Sequence, residues 1–207
     1  MFSKDYNKGV NPTEIKQFLS EWSPRQGRTI VIIDYANVDH WKDNLGWKIG
    51  IRELASLIKN FSSSKELRRF YYGSDFGPHT NSTTLEAWSK TILEGAQYNN
   101  LTVITKRVKY IHDNGQAIKK ANLDVEMAID LIKMRRQYDH IILFSGDGDM
   151  AYALEYVKKT YQKTACVFGA RDSVGSEMAD ALESGVIDKL MFVEDFESRL
   201  NMRRHRP

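Results

Sequence analysis

Apolar residues along this chain fall into two kinds of run that take turns. Thr29-Ile30-Val31-Ile32-Ile33 is unbroken, β-branched and too short for a helix, so it reads as a buried strand, most at home in a parallel sheet. Residues 67–72, 101–105, 140–144, 164–168 and 189–193 repeat that pattern. Between them, helical spacing of apolar positions marks residues 49–60, 84–98, 122–136, 150–161 and 176–184. Strand and helix in alternation imply right-handed βαβ crossovers. The expected fold is therefore α/β, a three-layer αβα sandwich over a mostly parallel sheet.

Three pieces stand outside the alternation. Residues 12–22 read as a short amphipathic helix, with Ile15, Phe18, Leu19 and Trp22 at helical spacing, packed on the main domain. Residues 106–120 contain His112-Asp113-Asn114-Gly115, and the Asn-Gly pair is a hairpin-turn signal, so two short strands or a long loop are expected. The end of the chain, Arg203-Arg204-His205-Arg206, reads as a frayed basic tail starting near Asn201. The predicted organisation is an extension with a short helix over 1–27, one domain over 28–195 and a basic tail over 196–207.

Composition narrows this picture only slightly. With 207 residues and 42% hydrophobic content, the chain can bury one substantial core. Thirty basic against 27 acidic side chains leave it mildly basic, so partners must be argued from clusters of charge. Cys166 is the only cysteine and lies in an apolar run, which excludes an intrachain disulfide and disfavours a thiolate metal site. The polar start of the chain has no signal-peptide core, and no apolar stretch approaches a membrane span. A soluble, cytoplasmic protein with no membrane partner is the expectation.

The candidate chemistry is in the carboxylates. In an open parallel sheet the ligand crevice lies beyond the carboxyl ends of the strands, where the strand order switches. Asp34 directly follows the run 30–33, a position with no obvious capping duty, and Asp147 and Asp149 follow the run 141–144 after a Ser-Gly turn. Asp124 falls in the first turn of its helix on the face shared by Met127, Ala128 and Leu131, and so is aimed toward the crevice. Asp130, six residues on, is rotated by roughly 120° and ranks behind it. Each acid also has an ordinary reading: Asp149 as a helix N-cap, Asp147 as a turn former, Asp124 as a carboxylate favoured by the helix dipole. Two carboxylates 4 Å apart repel by about 4 kcal/mol at an effective dielectric near 20, so several converging ones call for a cation. Oxygen donors without cysteine or paired histidine favour Mg²⁺ or Mn²⁺ over Zn²⁺.

Ile32-Ile33-Asp34-Tyr35-Ala36-Asn37, Asn122-Leu123-Asp124-Val125-Glu126-Met127 and Leu143-Phe144-Ser145-Gly146-Asp147-Gly148-Asp149-Met150 come in that order, each on its expected element. In these three segments the sequence resembles the NYN domain family, a branch of the PIN-like nucleases, over about residues 28–193. The resemblance implies a Rossmann-like PIN fold. It also implies a site in which Asp34, Asp124, Asp147 and Asp149 hold one or two Mg²⁺ or Mn²⁺ ions, with Asn37 and Ser145 as polar support. RNA is the substrate it implies. Met150 stands where the family commonly has Phe, a departure that removes no carboxylate.

Lys106, Arg107 and Lys109, with Tyr110 interleaved, and Lys119 and Lys120 form a basic cluster suited to the phosphates and bases of single-stranded RNA. They could equally be solvated edge lysines. The loop 72–79 follows a strand and is a second candidate wall. The five histidines are scattered, which disfavours a metal-independent ribonuclease built on a histidine pair. The expected activity is metal-dependent hydrolysis of RNA. A non-catalytic RNA- or protein-binding regulator on the same fold is the alternative. An aspartyl-phosphate phosphatase is disfavoured because Ala36 stands where its second acid belongs, and an Asp-x-Asp transferase would leave Asp34, Asn37 and Asp124 idle. PIN-like domains often pair, so a homodimer is open.

Overall fold

The computed structural model describes residues 10–79, 82–113 and 116–205. In chain order the elements are α1 (Pro12–Glu21), β1 (Thr29–Asp34), α2 (Tyr35–His40), α3 (Lys42–Leu45), α4 (Ile51–Ile58), β2 (Arg68–Ser74), α5 (Ala87–Tyr98), β3 (Thr102–Arg107) and β4 (Lys109–Asp113). They continue with β5 (Gln116–Lys120), α6 (Asp124–Lys133), β6 (His140–Phe144), α7 (Met150–Tyr161), β7 (Thr164–Gly169), α8 (Ser176–Glu183), β8 (Lys189–Phe192) and α9 (Glu197–Leu200).

Six strands form one parallel sheet in the order β3-β2-β1-β6-β7-β8. Side chains alternate between the faces of a strand, and β1 shows how this builds two cores. Val31 and Ile33 join Phe18, Tyr35, Leu54, Ile58 and Phe168 on one face. Ile30 and Ile32 join Met127, Leu131, Leu154, Val157 and Met178 on the other. Helices α1, α2, α4, α5 and α9 cover the first face and α6, α7 and α8 the second, giving the expected three layers. The strand order reverses between β1 and β6, so the switch point lies where Asp34 and the Ser145–Asp149 loop leave the sheet.

The excursion over 106–120 is the hairpin β4-β5, antiparallel with Lys109 opposite Lys120 and Ile111 opposite Ile118. Its expected Asn114-Gly115 turn lies outside the described residues. Two expectations need correction. The tail does not fray at Asn201: Leu200 is fully buried, Asn201 pairs with Ile49 as an antiparallel bridge, and the Met202 N–H donates to the Lys48 carbonyl. Backbone bonding to the segment before α4 holds those residues against the core. The second correction concerns Asp34, which does have a capping duty. Six residues directly after β1 form α2, and the Asp34 carboxylate accepts from the Asn37 N–H as its N-cap.

Candidate active site

The site begins with the turn from β1 into α2. Asp34 Oδ1 accepts from the Asn37 N–H at 3.3 Å, and Asp34 Oδ2 accepts from the Ser145 hydroxyl at 3.2 Å, which ties β1 to the exit of β6. Asn37 then turns its Oδ1 to the Gly146 N–H at 2.9 Å. Ser145 is fully buried, and its oxygen also accepts from the Asp147 N–H at 3.2 Å. The loop 145–149 is thus held from below by α2. It is held from the side as well: a Cβ on Gly146 would lie 2.1 Å from the Ser173 carbonyl, so only glycine lets the two loops approach.

Asp147 meets its turn-forming expectation. One oxygen accepts from the Asp149 N–H at 3.0 Å, the bond of a turn former. It also lies among the other acids: one carboxylate oxygen from each of Asp124, Asp147 and Asp149 falls within 4.8 Å of the others. The capping reading of Asp149 is not met, for although it stands at the N-cap of α7 it is in helical backbone conformation and its side chain makes no capping bond. Asp124 is presented by α6, whose first turn is fixed when the Asp124 N–H donates to Asn122 Oδ1 at 3.0 Å.

Electrostatics bind Asp34 to this group. Burial raises its pKa to about 6, with Asp124 and Asp147 adding repulsion and the bonds from Asn37 and Ser145 opposing the shift. Asp124 is also pushed upward, by burial first and then by repulsion from Asp147, Asp149 and Glu126. Such a cluster destabilises itself unless a cation neutralises it. Its donors are all hard oxygens, the set that suits Mg²⁺ or Mn²⁺. Asp130 is not part of it, since its carboxylate accepts from the Tyr71 hydroxyl at 2.6 Å and pairs with Arg69.

The basic residues divide. Lys106 binds Glu126 Oε1 at 2.8 Å and the Asn122 carbonyl at 3.3 Å, so it braces the start of α6. Arg107 lies over the Phe76 ring at 4.6 Å and donates to the His79 carbonyl. Lys119 pairs at 3.0 Å with Asp75. Lys109 and Lys120 are exposed and have no ionic partner among the described residues. Asp75 was not singled out by the sequence. It is fully buried beyond the end of β2 and accepts from the Gly77 N–H, the Tyr110 hydroxyl and Lys119. Its one sequence signal is a position after a strand, the same signal that marks Asp34.

A parallel α/β sheet with acids gathered at its switch point is the architecture of a PIN-like nuclease fold. The profile of the NYN domain matches residues 28–188, and the chain belongs to that family. It is 31% identical over 137 residues to the low amplitude and bright protein LabA of Synechococcus elongatus, covering 65% of this chain and 69% of that protein. Among solved structures, a Vibrio parahaemolyticus protein of unknown function superimposes with a TM-score of 0.61 at 18% identity, covering 82% of this chain and 94% of that one. That likeness supports the fold alone.

Proposed function

We propose that this protein is a metal-dependent ribonuclease. The observation that carries the reading is the gathering of Asp124, Asp147 and Asp149, from two separate elements, at the switch point of a family fold associated with nucleases, with Asp34 in electrostatic reach of Asp124 and Asp147. Asp124, Asp147 and Asp149 would hold Mg²⁺ or Mn²⁺, and Asp34 beside them would complete the charge. A bound divalent ion supplies activation of water and neutralisation of charge on the phosphoryl group. The chain's own contribution is placement. Ser145 and Asn37 fix Asp34 and the 145–149 loop, so the carboxylates meet an incoming phosphate without rearrangement. Lys109 and Lys120, exposed and without an ionic partner among the described residues, would neutralise flanking phosphates.

No described helix is long and apolar enough to cross a membrane. The deciding assay supplies Mn²⁺ and labelled single-stranded RNA, duplex RNA or DNA to the wild-type and Asp34→Asn proteins. Cleavage of single-stranded RNA that is lost in EDTA and falls by roughly two orders of magnitude or more in the variant is expected. Cleavage that survives both would refute the reading.

A further inference from the structure

Beside the carboxylates lies a cleft of about 330 Å³ that the hydrolytic site does not use. Its walls come from α2, the exit of β2, the start of α5 and the flanks of the hairpin, with Ala36, Tyr72, Trp88, Lys119 and Ala121 among the lining residues. The hairpin is seated directly on the sheet: a Cβ on Gly73 would lie 2.6 Å from Ala121 Cβ and 2.9 Å from a Val108 methyl. Asp75 locks this arrangement. Its backbone N–H donates to Ser89 Oγ on α5, while its buried carboxylate takes Tyr110 and Lys119 from the hairpin.

The locked walls present a particular chemistry. Trp88 is 44% exposed, unusual for an indole in a lined cleft, and meets Tyr72 edge to face at 6.3 Å. Lys119 holds its ammonium over the indole at 5.0 Å. Because Lys119 is already paired with Asp75 and Asp39 also lines the cleft, what the cleft offers is aromatic surface on which an unstacked nucleobase can stack, while the phosphate is left to the neighbouring site. The volume is at the small end for ligand pockets and is sufficient for one base. The cleft also lies near the acids. Ala36 is two residues from Asp34 and Ala121 three from Asp124, so their Cα atoms are at most about 7 and 11 Å apart.

We infer that this cleft is a base-binding subsite, which takes one unpaired nucleobase of the RNA whose phosphate lies at the carboxylates and so makes the protein selective for single strands. The inference rests on the ribonuclease reading for its choice of RNA. Trp88 is the base-contacting residue, and Asp75 and Lys119 are positioning residues.

The test measures binding of a fluorescein-labelled single-stranded octamer RNA to the full-length Asp147→Asn protein in MnCl₂, with a single abasic site walked along the octamer. One abasic position should weaken binding roughly ten- to a hundredfold. Trp88→Ala should bind the intact octamer that much more weakly and show no further loss with the abasic one. Trp88→Phe should keep part of the coupling, and matched melting curves would show that neither variant is unfolded. Trp88→Ala binding every octamer as tightly as its parent, or a duplex octamer binding as tightly as the single strand, would overturn the subsite. Wild-type cleavage run in parallel separates the two readings. Cleavage without any abasic effect leaves the nuclease and removes the subsite, whereas coupling through Trp88 without cleavage does the reverse. Absence of both RNA binding and wild-type cleavage removes both.

Discussion

A carboxylate that caps a helix is ordinarily held in its charged form, yet Asp34 caps α2 and still has its pKa raised to about 6. Burial outweighs the two hydrogen bonds, and the neighbouring acids add to it. Because the folded value lies above the unfolded one, Asp34 costs almost no stability below about pH 3, where both states are protonated. The cost grows as pH rises through the window up to about 6 and is constant above it, at about 2–3 kcal/mol from 1.36 kcal/mol per unit. Asp34→Asn should therefore stabilise the metal-free protein by about 2 kcal/mol at pH 7.5 and by almost nothing at pH 3, as read from urea unfolding in EDTA. The same effect of the substitution at both pH values would show that the pKa of Asp34 is not raised. Asn37 is a different matter at this scale. It has no charge to repel, and its Oδ1 satisfies the Gly146 N–H, so Asn37→Ala should loosen the 145–149 loop at a cost of about 1–3 kcal/mol.

A single buried acid, Asp75, ties both strands of the hairpin β4-β5 to the end of β2. For Asp75, burial by itself would raise the pKa, but hydrogen bonds from Tyr110, Lys119 and Gly77 prevail and hold it below the usual carboxylate range. Asp75→Asn leaves Lys119 without its partner and weakens the hairpin's attachment by about 2 kcal/mol or more, a figure reduced from that of a fully buried pair because Lys119 is half exposed. Hydrogen exchange at residues 109–111 and 119–121 should quicken at least tenfold while the amides of β1 and β6 keep their protection. Quickening spread evenly over the sheet would mean that Asp75 supports the whole fold. At this scale the sequence was legible where hydrophobic period and length agree, as in the six parallel strands and in α5, α6, α7 and α8. Helix α2 was missed because Tyr35-Ala36-Asn37-Val38-Asp39-His40 is too short to show a helical period. Asp34, Asp124, Asp147 and Asp149 could be picked out because they end strands or begin a helix. Asp75 ends a strand too, but what distinguishes it is contact with a hairpin some 35 to 44 residues away, which no local pattern records.

Over the whole molecule, α1 and α9 help to close one face of the sheet at a distance from the chemistry. Phe18 on α1 is fully buried against Phe61, Phe168 and Phe196, so the N-terminal helix belongs to the same core as the segment leading into α9. Trp22, just past α1, packs on His140 at the first residue of β6. Ser145, Asp147 and Asp149 follow the last residue of that strand, so α1 ends near the edge of the sheet opposite the site. Stability and metal binding should therefore separate. Phe18→Ala deletes a buried ring and should cost about 3–5 kcal/mol, a large part of the roughly 5–15 kcal/mol that holds a domain of this size together. Mn²⁺ affinity of the fraction still folded should stay within about twofold of wild type, since no ligand or support of the carboxylates touches α1. Urea unfolding and Mn²⁺ titration of one preparation at low temperature check both halves. A folded Phe18→Ala protein with a tenfold weaker Mn²⁺ site would show that packing on the far edge of the sheet is coupled to the geometry of the acids.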